Sequence, residues 1–309
     1  MNVFYMSSER TYWIALAMCP GVGARLFKAL LAKFGSPQSV FGSTVEELTR
    51  IPRMTEAMAR QILSVSVDRV VEEVLSLENE SIDIVTQVDE NFPVNLKAAF
   101  DAPPILFVRG GYLSQDVNAV AVIGTREASK RGKDLAKNLA AEFAQQGWTV
   151  VSGLARGIDT VAHQGALAGE GRTIAVLGSG IRNIHPKRNL LLAQEIVRSG
   201  VVISEQHPNA PPRGPYLMAR DRIVSGLSKA VIVVEAGEQS GSLDTAKKAY
   251  KQNRLVFAVD TGSSGTNQLI AEEAIAISPT SFNVVEIIAD INNNLELDFT
   301  PQIELFENK

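Results

Sequence analysis

Ser152-Gly153-Leu154-Ala155-Arg156-Gly157-Ile158-Asp159 follows the apolar run Trp148 to Val151 and leads into a helical segment. A glycine-rich turn between strand and helix lets backbone N–H groups approach an anion closely, and an arginine within it adds a cation. Such a turn is built to receive a phosphate. The same order recurs where Val120 to Ile123 runs into Gly124-Thr125-Arg126, and where Ile174 to Leu177 runs into Gly178-Ser179-Gly180. Three such loops on one sheet edge make a site larger than one nucleotide.

Outward from these loops, β-rich runs alternate with helical segments: Val120 to Ile123, Thr149 to Ser152, Ile174 to Leu177, Val201 to Ser204, Ala230 to Glu235 and Leu255 to Val259. Near-continuous Val, Ile and Ala strands specify a mostly parallel sheet covered on both faces. The fold class is therefore α/β, a Rossmann-like doubly wound sheet whose ligand lies outside the carboxyl ends of the strands. Asp83 to Gly111 holds short extended pieces broken by Pro93, Pro103 and Pro104, and connects this sheet to what precedes it.

Residues 11 to about 75 read as helical, with Ile14, Leu16, Leu26, Leu30 and Leu31 at helical spacing. Pro20-Gly21-Val22-Gly23 has the form of a helix-hairpin-helix element, whose exposed N–H groups hold a phosphate without reading sequence. The same glycines also serve a plain tight turn. Leu48 to Thr55 reads as a degenerate second copy, with Arg53 and Thr55 at the hairpin glycine positions. The expected domains are residues 1–80, a helix-hairpin-helix (SAM-like) unit; 81–285, the Rossmann-like unit; and 286–309, a solvated acidic tail with no winged helix. In that tail Glu286, Asp290, Glu296, Asp298, Glu304 and Glu307 face only Lys309.

Apolar residues at 45% and charged residues at 21% describe an ordinary globular chain of net charge −4. Between Val120 and Arg222, however, 14 Lys and Arg stand against 8 Asp and Glu. The balance is basic where the glycine loops lie, which steers anions there. Cys19 is the only cysteine, so no intrachain disulfide forms and the cytoplasm is the expected compartment. Leu16-Ala-Met-Cys19 has a faint lipoprotein-site look but is read as the first helix, and no apolar run reaches the roughly 20 residues of a membrane helix.

Gly178-Ser-Gly-Ile-Arg-Asn183 lacks the third glycine of a dinucleotide fingerprint, and no Walker pattern is present. His163, His185 and His207 have no metal-ligand spacing. Asp159 and His163, four apart, suit a shared metal or, as favoured here, an Asp159 N-cap on the following helix. Ser152, Ser179 and Ser240 lack a nucleophile elbow. No catalytic residue, metal or cofactor is expected. What remains is anion binding by Arg126, Arg156, Lys187, Arg188, Arg220 and Arg222, all expected on loops or helix starts after the strands.

Taken in order, Val122-Ile-Gly-Thr-Arg126, Ser152 to Asp159, Ile174 to Gly180 with His185-Pro-Lys-Arg-Asn189, Arg220 to Ser228, and Val234 to Leu243 resemble the DNA-processing protein A family (DprA, also called Smf). Asn91 to Leu96 and Ala102 to Gly110 resemble its lead-in. The resemblance, over about residues 90–275, implies a single-stranded DNA-binding protein that protects DNA in natural transformation and loads the RecA recombinase. It places phosphate contacts at the Gly124, Thr125 and Arg126 turn and at Lys187, and the loop reading above adds Gly153, Arg156, Gly178, Ser179, Gly180, Arg220, Arg222, Ser240 and Gly241 as expected DNA contacts. Asp221 stands where the family usually has Asn, either weakening that edge of the site or pairing with an arginine. On the helix expected after Gly265-Thr-Asn267, Leu269, Ile270, Ala274 and Ile277 read as an apolar stripe, for packing on the sheet or, as the family's dimer implies, for a homodimer interface.

Two other classes compete with this reading. A nucleotide-cleaving phosphoribohydrolase of the Lonely-guy type needs paired glycines and a glutamate, where this chain has Gln239-Ser-Gly-Ser-Leu-Asp-Thr245 with Asp244 as the nearby acid. A nucleotide sensor would use the same loops for a free mononucleotide.

Overall fold

The computed structural model describes residues 8–295. Helices α1 (Ser8–Met18), α2 (Ala24–Phe34), α3 (Pro37–Phe41), α4 (Val45–Thr49), α5 (Glu56–Leu63) and α6 (Val67–Asn79) form the first unit. Its two hairpins repeat at a constant offset: Cys19 N donates to Leu16 O as Ile51 N does to Leu48 O, and Val22 N donates to Cys19 O as Met54 N does to Ile51 O. Gly21 at φ 84° matches Arg53 at φ 71°, a left-handed position that costs a non-glycine residue energy. The degenerate copy is thus a true second hairpin, and Thr55 caps α5 by accepting from Met58 N.

One nine-stranded sheet follows, in the order β1-β2-β6-β5-β4-β3-β7-β8-β9. Its strands are β1 (Asp83–Thr86), β2 (Ile105–Gly110), β3 (Ala119–Ile123), β4 (Thr149–Ser152), β5 (Thr173–Leu177), β6 (Val201–Ser204), β7 (Ala230–Val233), β8 (Leu255–Val259) and β9 (Ile275–Ile277). β3 to β9 pair in parallel, whereas β2 runs antiparallel to both β1 and β6. Helices α8 (Lys130–Gln145), α9 (Ile158–Ala168) and α14 (Val284–Leu295) cover one face together with α10 (Leu190–Ser199). The short α7 (Val94–Lys97), α11 (Gly214–Leu227), α12 (Gly241–Lys251) and α13 (Ser264–Ala271) cover the other.

Alternation along β2 joins the two units. Ile105 and Phe107 enter the core of the helical unit with Ile84 and Ile181, while Leu106 and Val108 point into the sheet core. The connecting segment is therefore part of the sheet, and one strand serves two cores.

Two expectations about the end of the chain are corrected. Val284, Ile287 and Ile291 recur at helical spacing and are buried against the α8 side of the core, so residues 284–295 belong to the α/β unit rather than to a solvated tail. Residues 296–309 lie outside the described residues. The late apolar stripe does not exist as one helix face either, because α13 ends at Ala271 and Ile277 sits on β9. Leu269 and Ile277 are buried in the chain's own core and Ile270 packs against it, so these residues are not a free interface.

His163, on α9, is fully buried. Thr173 Oγ1 donates to Val150 O at 2.7 Å, so at 2.6 Å from His163 Nδ1 it must accept, leaving Nε2 without a proton or a partner. Burial, helped by the Arg220 cation, pushes this imidazole down to about 3. Between about 6.5 and that value the unfolded chain takes up a proton that the folded chain refuses. The stability contribution is complete above pH 6.5 and falls by about 1.4 kcal/mol per unit as pH drops toward 3. Asp159 and Asp221, raised by burial, act in the opposite sense above the ordinary carboxylate range. A His163→Leu variant should therefore show a flatter stability profile than wild type in urea titrations from pH 7.5 to 4.5; parallel profiles would rule out a neutral buried imidazole.

Candidate nucleic-acid interface

Chain direction reverses at β3: β4, β5 and β6 lie on one side and β7 and β8 on the other. The loops after these strands gather at the carboxyl edge, where a doubly wound sheet holds its ligand. Thr125 N donates to Glu235 O at 2.7 Å, and Ile158 N donates to Thr125 O at 3.2 Å, so three loops are stitched into one surface. The close approach requires glycine. A Cβ on Gly124 would lie 2.6 Å from Ile158 Cγ1, and one on Gly157, at φ 80°, would lie 2.2 Å from Thr125 O. Arg126 and Arg156 stand exposed on this surface.

The loop after β5 is tied to the same surface by Asn189, whose Nδ2 donates to Leu154 O and to Thr160 Oγ1, each at 2.8 Å. Lys187 and Arg188, in the preceding turn, are thereby held exposed beside the Arg156 loop.

The N-terminus of α8, the usual place for a dinucleotide's pyrophosphate, already holds a carboxylate. Ser129 N and Oγ donate to Glu235, the latter at 2.8 Å, and a Cβ on Gly132 would strike Glu235 Oε2. That leaves the first turn of α8 unlike an ordinary N-terminus, since it exposes Lys130, Arg131 and Lys133, cations that the helix dipole disfavours there. Sequence reasoning missed these three. The signal was their clustering within four residues of one another, just after Gly-Thr-Arg.

Other expected contacts are not at the surface. Gly178 and Gly180 are buried: a Cβ on Gly178 would lie 2.6 Å from Leu217 Cα, and one on Gly180 would lie 2.2 Å from His207 O. Ser179 is 1% exposed, and its hydroxyl donates to Asn183 O at 2.6 Å. Gly153 is buried against the Arg220 guanidinium. Ser240 is half-buried with its hydroxyl 2.8 Å from that of Ser242, whereas Gly241 is exposed.

Arg220 and Arg222 are corrected most. Both lie within α11 rather than on a loop or helix start, because the helix begins at Gly214-Pro215. Arg220 is 5% exposed; its Nη1 donates to Gly153 O and Val176 O, and its Nε donates to Asp221 at 2.9 Å. Arg222 pairs with Glu205 at 2.6 Å and lies 3.7 Å from Asp101. Asp221 thus pairs with an arginine, the second of the two outcomes its sequence position left open. Asp159 is corrected as well. It sits inside α9, and its Oδ2 accepts from Gly153 N and Ala155 N, so it shapes the preceding loop instead of capping the helix. Nor does it share a site with His163, whose Nδ1 is on Thr173. Asp244 pairs with Lys248 at 2.5 Å.

The edge therefore presents Arg126, Arg156, Lys187, Arg188 and the α8 cations over a floor of buried, internally satisfied groups. Such a surface has the charge and spacing that suit a chain of phosphates, and it offers no base code.

Comparison with known proteins bears on the same residues. A family model of a SAM-like helix-hairpin-helix tandem matches residues 14–65. The chain is 37% identical over 204 residues to DNA processing protein DprA of Bacillus subtilis, covering 64% of this chain and 69% of that protein. Matches to the Bacillus subtilis, Escherichia coli and Synechocystis relatives span between 62% and 69% of their lengths. The crystal structure of DprA from Streptococcus pneumoniae superposes with a TM-score of 0.75 at 28% identity, over 90% of this chain and 99% of that one. The structure of the Helicobacter pylori protein, described for its single-stranded DNA binding mode, gives 0.60 at 30% identity, over 69% and 96%. With the model of DNA recombination-mediator protein A matching residues 83–289, the span that holds the whole sheet and its loops, the chain belongs to that family.

Proposed function

We propose that this protein binds single-stranded DNA without sequence preference, protects it, and hands it to the RecA recombinase during natural transformation or recombination in the cytoplasm. The observation that carries the reading is the row of exposed cations, Arg126, Arg156 and Lys187 on loops tied together by backbone and Asn189 hydrogen bonds, and Lys130, Arg131 and Lys133 on the first turn of α8. The Helicobacter pylori relative's described binding mode supports it. Its work is binding rather than chemistry, and the Glu235 carboxylate on the α8 N-terminus argues against a mononucleotide phosphate at that point.

Single-stranded oligonucleotides of different composition should bind alike, and tightly only at low salt. Arg126→Ala should weaken all of them and flatten the dependence of log K on log salt by about 0.7, one phosphate on a single strand. Fluorescence anisotropy across a salt series checks this; an unchanged slope and affinity would remove Arg126 from the interface. The handover belongs to the same proposal. Wild type should speed RecA assembly on strands precoated with single-strand binding protein, and Lys187→Ala should do so less. A homodimer, also part of the reading, would offer a strand two such edges and raise avidity. Sedimentation at micromolar concentration tests it.

A further inference from the structure

Phosphate contacts leave the bases of a bound strand unaddressed, and the carboxyl edge carries a feature suited to them. Pro211 to Pro215 is an unbroken exposed segment leading into α11. The Arg213 guanidinium lies 5.9 Å from the centroid of the Tyr216 ring, and among the described residues no carboxylate pairs with Arg213. Tyr216 is half-exposed, and Met218 beyond it is 56% exposed. An aromatic ring and an arginine plane side by side at the surface make a poor solvent face and a good stacking face.

The segment is also fixed against the interface. Gly180 N donates to Ala210 O at 2.9 Å, and Asn183 Nδ2 donates to Asn209 O at 2.8 Å, joining it to the loop after β5. Leu217, next to Tyr216, packs on Gly178 so closely that no side chain fits there. Lys248 Nζ donates to Met218 O, tying the start of α11 to α12. Tyr216 is thus carried on a rigid element adjoining the loop that ends in Lys187.

We infer that Tyr216, braced by Arg213, is a stacking platform for a nucleobase of the strand whose phosphates lie on the cationic loops. The inference rests on the single-stranded DNA reading above. Every base has a π face, so the platform adds affinity without sequence preference.

The test compares full-length wild type, Tyr216→Ala, Tyr216→Phe and Tyr216→Leu by anisotropy on two labelled strands of equal length, one of thymidines and one with the same phosphates but mostly abasic sugars. On the thymidine strand Tyr216→Ala should bind about tenfold more weakly, Tyr216→Leu should be weakened too, and Tyr216→Phe should match wild type. On the abasic strand all four should bind alike, with the same salt slope. Equal binding of wild type and Tyr216→Ala to thymidines would overturn the platform, and so would an equal loss on both strands. Failure of wild type itself to bind either strand would instead strike the single-stranded DNA reading.

Discussion

Arg220→Met is expected to cost about 3–5 kcal/mol of folding stability, the scale for removing one partner of a buried charge arrangement. Methionine approximates the arginine stem but deletes all five donors. Gly153 O and Val176 O would then lack their partner, and Asp221 would keep a buried negative charge with only Lys248 nearby. Burial already raises the Asp221 and Asp159 carboxyls, and the Arg220 cation is the largest influence opposing that rise. Removing the cation raises both further, so the loss should be larger at pH 8 than at pH 5, where these carboxyls more readily take a proton. Arg220→Met/Asp221→Asn should recover part of the loss by removing the stranded charge. Urea unfolding at the two pH values measures all of this; a loss under about 1 kcal/mol would mean that Arg220 does not hold the floor. DNA affinity should fall as well, through displacement of the Gly153 loop rather than through a lost contact.

The distinction between floor and surface marks where the sequence was legible. Strands were readable because Val, Ile and Ala runs buried on both faces leave few alternatives, and the loops were readable because glycine and arginine between strand and helix have a specific use. The hairpin repeat was readable although Arg53 replaces a glycine, since flanking apolar positions keep their spacing. What could not be read was direction. Arg126 and Arg220 are equally basic and were both expected on a loop or helix start after a strand, yet one is exposed and the other buried, and the start of α11 at Gly214-Pro215 places Arg220 inside a helix. Charge also misled at the end of the chain: Glu286 and Asp290 suggested a tail, while Val284, Ile287 and Ile291 between them carried the helical stripe that buries α14. The cations of α8 went unnoticed for the same reason, because charges on a helix ordinarily mean a solvated face.

Gly157→Ala tests whether the interface depends on close stitching of its loops. At φ 80° and ψ −126° an alanine is strained wherever it stands, and here its Cβ would lie 2.2 Å from Thr125 O and 2.8 Å from Arg126 O. Thr125 O cannot give way alone, since Thr125 N is held by Glu235 O and Thr125 O accepts from Ile158 N. The strand-side loop must therefore shift, carrying Arg126 with it. We expect a loss of about 2–4 kcal/mol in stability, from strain and overpacking together, and a tenfold or greater loss in affinity for single-stranded DNA. Gly147→Ala is the control. Gly147 also has positive φ, at 75°, but an added Cβ meets nothing within 4 Å, and the residue lies at the opposite end of β4. It should lose about 1 kcal/mol, the conformational cost alone, and bind DNA as wild type does. Thermal unfolding and anisotropy on both variants separate the two effects. If Gly157→Ala loses no more than Gly147→Ala in either measurement, the loops are adaptable, and Arg126 is not placed by the Thr125, Gly157 and Glu235 contacts.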